Sequence, residues 1–125
     1  MIVLTPPRRV EKPWGYESIL AHTDRYVGKI LHIDRGHRLS RQYHRVKDET
    51  VYVLHGTLIL EIGPMEAVER VEVPAGMCYR TLPGTIHRYI APPDGDVDLI
   101  ETSTPELEDV VRLEDVYGRE GTDKP

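Results

Sequence analysis

The sequence contains no phenylalanine, one tryptophan and one cysteine, and the scarcities are informative. A lone cysteine, Cys78, excludes an intramolecular disulfide framework and gives no sign of an oxidising compartment. It reads as a small buried hydrophobe and not as a nucleophile. Long apolar runs are missing too. Runs such as residues 51–54 are far too short to cross a bilayer, and residues 1–9 lack the apolar stretch of a secretion signal. The expectation is a soluble, cytoplasmic protein with no membrane partner. Positive charge is in deficit: 16 Lys and Arg stand against 21 Asp and Glu, a formal net charge of −5. The basic residues are scattered among acidic ones, so no electrostatic footprint for nucleic acid is present. A small polar ligand fits this composition better.

What is there favours strands. A chain of 125 residues is enough for one domain around one hydrophobic core. Ten Gly, ten Pro and seven Tyr, in a background of Val, Ile and Leu, favour short strands joined by tight turns, and hence an all-β fold. Strand-like segments recur at 16–21, 26–34, 40–44, 49–54, 57–62, 68–73, 78–82, 86–90 and 97–102, mostly bounded by Gly, Pro or Asp. Leu31 and Ile33 alternate with His32 and Asp34, the period of a half-buried sheet. Residues 51–54 are apolar on both faces, which suits a strand buried between a barrel interior and a second sheet or subunit. The pattern predicts a sandwich or barrel. Residues 105–117 are the one segment that suits a short helix. Pro6 and Pro7 mark residues 1–12 as an extended N-terminal arm, able to pair with a partner subunit.

Four residues suggest chemistry. Gln42 and His44 lie two apart on an expected strand, so both side chains share a face. Glu49 opens the next strand across a charged connection, where a hairpin return brings its carboxylate beside His44. His87 follows a Pro83-Gly84 turn and can add a ligand from another strand. Two imidazoles and a carboxylate form a recurrent set for a divalent first-row metal with open positions, compatible with Fe, Mn, Ni, Co or Zn. A surface salt-bridge cluster is the competing reading of the same spacing. His22 and His37 read as solvated loop residues, His32 and His55 as partly buried and hydrogen-bonded, and Trp14 and Tyr16 as packing residues.

The run Gly36, Gln42, His44, Glu49, Gly56, with its spacing, resembles the first motif of the cupins, and Gly76, Gly84 and His87 resemble the second. Leu82 and Ala91 depart from the proline and asparagine usual in that second motif. A narrower resemblance covers nearly the whole chain. The segments Lys12-Pro13-Trp14-Gly15-Tyr16-Glu17, Leu39-Ser40 before Gln42-Tyr43-His44, His87-Arg88, Ile100-Glu101 and Asp115-Val116-Tyr117-Gly118-Arg119 are similar to the cupin domain of type II mannose-6-phosphate isomerases. Thr50-Val51 and Thr102-Ser103 differ from that group's usual His-Trp and Val-Gln.

The resemblance implies a single cupin domain over residues 1–125. Its expected fold is a double-stranded β-helix, or jelly-roll barrel, with a short C-terminal helix, assembled as a homodimer. It implies one divalent metal ion (Zn, Mn, Fe, Ni or Co) held by Gln42, His44, Glu49 and His87. The implied activity interconverts mannose 6-phosphate and fructose 6-phosphate, a reaction that needs a Lewis acid and a base. Glu101 is then the expected base, and Lys29 and Arg88 are expected to contact phosphate or enediolate. Against these roles, Lys29 and Arg88 also read as solvated surface cations, and Glu101 as a strand-end carboxylate that is solvated or paired with a neighbouring Lys or Arg. Two other functions share the ligand set: a non-enzymatic, metal-dependent sugar-binding cupin and a small iron dioxygenase.

Overall fold

The β-branched segments with turn residues between them do form strands, and the strands assemble into two antiparallel sheets facing one interior. The computed structural model describes residues 1–121. Its strands are β1 (Arg8–Lys12), β2 (Gly15–His22), β3 (Val27–Ile33), β4 (Arg41–Tyr43), β5 (Glu49–His55), β6 (Thr57–Ile62), β7 (Glu69–Pro74), β8 (Cys78–Thr81), β9 (His87–Ile90), β10 (Val97–Ser103) and β11 (Val111–Glu114). One sheet runs β1-β2-β3-β10-β5-β8 and the other β11-β4-β9-β6-β7. The architecture is all-β, as the composition predicts.

Alternation decides what each strand turns inward. Along β3 every second residue is buried: Val27, Lys29, Leu31 and Ile33. On β10 the buried set is Val97, Leu99, Glu101 and Ser103, and on β5 it is Glu49, Val51 and Val53. Antiparallel register then lines these residues up, with Ile33 opposite Val97, Leu31 opposite Leu99 and Lys29 opposite Glu101. The apolar members join Trp14, Leu39, Leu58, Leu60 and Tyr89 in one core cluster. Ionisable residues therefore occupy one end of the same inward faces whose other end is apolar. The turn between β5 and β6 rests on Gly56, whose φ of +83° favours glycine and whose missing Cβ leaves room for the Asp96 carbonyl.

Several expectations need correction. Residues 105–117 form no helix; they contain a turn followed by β11, which pairs with β4. The physical reason is that β4 would otherwise expose its backbone edge, and that Val110 and Arg112 are buried with strand periodicity. Among the described residues the one helical turn is 3₁₀, at Met65–Ala67. Part of the expected arm is a strand of the chain's own sheet, since Arg8–Lys12 pairs with β2 over its whole length. Only one face of residues 51–54 is covered: Val51 and Val53 are buried, while Leu54 is 49% exposed. Cys78 is exposed, because it points outward from β8.

Candidate metal centre and its buried charge network

His44, Glu49 and His87 meet although they come from three strand termini. His44 follows β4 directly, Glu49 opens β5 and His87 opens β9. All three are buried, and one potential ligand atom from each lies within 4.8 Å of the other two. Glu49 Oε1 is 3.1 Å from Nε2 of both imidazoles.

The opposite ring nitrogens explain the orientation. His44 Nδ1 donates to the Asp109 carbonyl, and His87 Nδ1 donates to the Thr85 carbonyl at 2.9 Å. A carbonyl can only accept, so each ring carries its proton on Nδ1 and turns an Nε2 lone pair toward Glu49. Three acceptors then face one another. Nε2 of His87 is a buried atom with no hydrogen-bond partner despite its closeness to Glu49. Convergent lone pairs from two imidazoles and a carboxylate suit a divalent cation, and backbone partners on the far nitrogens are the usual support for such ligands. Asp109 reinforces the arrangement, since its carboxylate accepts the backbone N–H groups of Arg45, Val46 and Lys47 just after His44.

Gln42 lines the same cavity and lies opposite His87 in the β4–β9 pairing. Its side-chain oxygen accepts a hydrogen bond from Ser40 Oγ at 2.6 Å. The cavity, of about 620 Å³, also exposes Trp14, Lys29, Leu31 and Glu101, a size and mixture suited to a small polar ligand.

A chain of buried charges extends from the centre. Lys47 Nζ lies 3.3 Å from Glu49 Oε2 and 3.1 Å from Glu101 Oε2. Lys29 Nζ lies 3.6 Å from Glu101 Oε2 and 3.1 Å from Glu17 Oε2. The two carboxylates respond differently. Burial works to raise Glu49, but the charge of Lys47, with the two imidazoles close by, outweighs it and holds Glu49 well below the usual carboxylate range. Burial and the charge of Glu49 raise Glu101, against the opposing pull of Lys29 and Lys47. Burial lowers Lys47, yet Glu101 and Glu49 more than compensate and raise it. Glu49 is thus kept ionised, as a ligand must be, and Glu101 has the higher proton affinity of the pair.

Of the residues the sequence singles out, Gln42, His44, Glu49, Lys29 and Glu101 line this cavity, and His87 closes the ligand trio. Arg88 does not reach it. As the next residue of β9 after His87 it points to the other face, where Nε donates to the Leu39 carbonyl and a terminal nitrogen pairs with Glu114 at 2.7 Å. Lys29 and Glu101 are buried partners of one another, not solvated surface charges. Lys47 is the member that sequence reasoning missed, because 45–48 looks like a charged turn. Its place two residues before Glu49 was the available signal. A second grouping, His32, Asp34 and Asp96, lies on the outward side of β3, with His32 bonded to Asp98 at 2.6 Å and stacked on Tyr16.

With this geometry in hand, the comparisons with known proteins fall into place. A family model described as "Cupin domain" matches residues 29–103. The chain belongs to the cupin family. The match contains the whole ligand trio as well as Lys29, Lys47 and Glu101. This cupin is 36% identical over 120 residues to mannose-1-phosphate guanylyltransferase ManC of Salmonella typhimurium, an alignment covering 90% of the chain but 23% of that protein. The chain thus spans about a quarter of that relative's length. Among solved structures, the capsular polysaccharide assembling protein CapF of Staphylococcus aureus superposes with a TM-score of 0.76 at 18% identity, over 89% of this cupin and 32% of CapF. A cupin-superfamily sugar phosphate isomerase of Silicibacter pomeroyi superposes with a TM-score of 0.63 at 19% identity, over 71% of this cupin and 58% of that chain. At such identities these two likenesses concern the fold alone. None of the described helices is long and apolar enough to cross a membrane.

Proposed function

We propose that this cupin is a metal-dependent sugar-phosphate isomerase of the mannose 6-phosphate/fructose 6-phosphate type. The observation that carries the reading is the placement of a second buried carboxylate, Glu101, on the wall of the cavity that holds His44 and Glu49, bridged to Glu49 by Lys47 at 3.1 Å and 3.3 Å. Isomerisation of an aldose to a ketose moves a proton between adjacent carbons, and a carboxylate of raised proton affinity suits that shuttle. Sugar-related relatives, a mannose-1-phosphate guanylyltransferase and a sugar phosphate isomerase among them, agree with it.

His44, Glu49 and His87 would hold the divalent ion, with Gln42 alongside. When bound, that ion supplies a Lewis acid for the two oxygens of the shifting carbonyl. Everything else falls to side chains. Glu101 takes the proton from one carbon and returns it to its neighbour, so its charge is restored at the end of the cycle. Lys47 and Lys29 fix the Glu101 carboxylate and keep its ionised form accessible. Trp14, Leu31, Leu39 and Tyr89 are among the apolar residues of the wall.

The deciding experiment combines metal analysis of the purified protein with assays of mannose 6-phosphate and fructose 6-phosphate. The expected result is isomerisation that disappears on chelation and in Glu101→Gln, with metal content retained in that variant. A second reading is a sugar-binding module without turnover, favoured by the engagement of Glu101 with two lysines. Saturable, metal-dependent binding of the sugar with no interconversion would replace the isomerase by this module. Metal-bound protein that consumes dioxygen with a non-phosphorylated substrate would replace both.

A further inference from the structure

We propose that His32, Asp34 and Asp96 form a second divalent-metal site, suited to a first-row ion such as zinc, on the outer surface and apart from the cavity. The site is independent of the isomerase reading and of the first metal centre. One potential ligand atom from each residue lies within 4.8 Å of the other two. His32 is on β3, Asp34 is the first residue after that strand, and Asp96 is the last residue before β10. Strand parity keeps the grouping away from the interior, since Leu31 and Ile33, on either side of His32, belong to the core.

The imidazole is held in the way a metal-bound histidine is held. Asp98 lies directly opposite His32 in the β3–β10 pairing, and its carboxylate accepts from His32 Nδ1 at 2.6 Å. With the proton on Nδ1, the ring turns its Nε2 lone pair toward Asp34 and Asp96. A carboxylate behind the far nitrogen is the usual support for such a ligand. The ring plane is fixed as well: Tyr16, opposite His32 on β2, stacks on it with centroids 4.9 Å apart and planes 13° apart, and the Arg9 guanidinium lies 3.8 Å from the centre of the Tyr16 ring. Backbone contacts anchor the two carboxylates. Asp34 N–H donates to the Trp14 carbonyl, and Asp96 Oδ1 accepts the Arg35 N–H at 2.8 Å, which leaves Asp96 Oδ2 toward His32.

Distance and charge both favour a cation between these groups over a shared proton. His32 Nε2 is 3.3 Å from Asp34 Oδ1 and 3.5 Å from Asp96 Oδ2. A charge-assisted N–H···O bond closes to about 2.7–2.9 Å, whereas ligands held at about 2.0–2.1 Å around a tetrahedral ion stand about 3.3 Å from one another. Among the described residues, every ion pair of Asp34, Asp96 and Asp98 is with the imidazole of His32 or His55. A divalent ion supplies the positive charge that these carboxylates otherwise lack. The side chains of Asp34 and Asp96 are 53% and 46% exposed, so the remaining coordination position opens to water. One imidazole with two carboxylates suits zinc, while calcium takes oxygen ligands. An ion bound there ties the end of β3 to the start of β10.

Zinc titration of the full chain, against a competing chelator, counts the sites and separates them. Two equivalents are expected for the parent and one for Asp34→Asn/Asp96→Asn. Glu49→Gln, which disables the first centre, should keep the second equivalent; circular dichroism checks the fold of each variant, and the half-exposed aspartate pair decides the matter if Glu49→Gln does not fold. Nitrogen NMR identifies the ring: zinc should shift His32 Nε2 and leave Nδ1 protonated, with no shift in Asp34→Asn/Asp96→Asn. Asp98→Asn, which acts only through His32, should weaken the second equivalent about tenfold. One equivalent in the parent that persists in Asp34→Asn/Asp96→Asn, two equivalents in that variant, an unmoved His32 signal, or calcium displacing zinc at equal concentration overturns the assignment. One equivalent in the parent that is lost in that variant keeps this site and removes the first centre. Two equivalents in a protein without isomerase turnover remove the isomerase and keep this site.

Discussion

The two ends of the interior are built on the same strands from opposite chemistry. Toward one end β3, β5 and β10 present Leu31, Ile33, Val53, Val97 and Leu99, all almost fully buried. Toward the other they present Lys29, Glu49 and Glu101, buried to a similar degree. The apolar end is held by non-directional contact and tolerates exchange of one apolar side chain for another of like volume. The charged end has no such tolerance, because every buried charge depends on a particular partner. Register alone joins the ends, and it places the site where a rigid, well-packed floor supports it.

The largest effect is expected at Lys47, which lies between two carboxylates. Lys47→Met leaves Glu49 and Glu101 facing each other without their shared cation, and should cost about 4 kcal/mol in urea unfolding at neutral pH. The double variant Lys47→Met/Glu101→Gln should recover part of the loss. A double variant no more stable than the single one would show that the carboxylates are not coupled through Lys47.

Leu99→Ala, at the apolar end, is the counterpart. It should cost about 3 kcal/mol and leave the metal affinity of the folded protein unchanged. A metal affinity that falls with the loss of this leucine would break the division between the two ends.

The smallest effect belongs to Asp115, at the rim of the charged end. Burial raises this carboxyl, but Arg119 and the backbone amides of Arg119 and Tyr117 outweigh it and hold it below the usual range. Its contribution to stability is therefore fully present above the ordinary carboxylate range and is lost as pH falls through its depressed value. Asp115→Asn should flatten the acid limb of the stability profile, whereas Leu99→Ala should lower the whole profile without changing its shape. Parallel profiles for Asp115→Asn and the parent would refute the ion pair's role.

Local pattern made much of this legible. Nine strands follow from alternation and turn residues, because a half-buried strand needs both. The trio His44, Glu49 and His87 follows from spacing, because side chains two apart share a face and a hairpin return adds the third. What escaped depends on pairing between distant segments. Residues 110–114 carry too short an alternation to announce a strand, and β11 becomes one when β4 offers it an edge. Arg88 has the charge for a site residue, yet strand parity one step from His87 turns it away. Lys47 looked like part of a turn, since nothing within 45–48 reveals that Glu101, 54 residues further along, comes within 3.1 Å of it.

By itself the sequence determined which residues alternate, where the chain turns and which side chains have ligand chemistry, because these depend on neighbours a few positions apart. Tertiary structure alone decided the tautomer of His44 through the Asp109 carbonyl and the contrary behaviour of Glu49 and Glu101. Those properties arise from burial and from charges brought together by sheet register, and neither exists until the two sheets have closed.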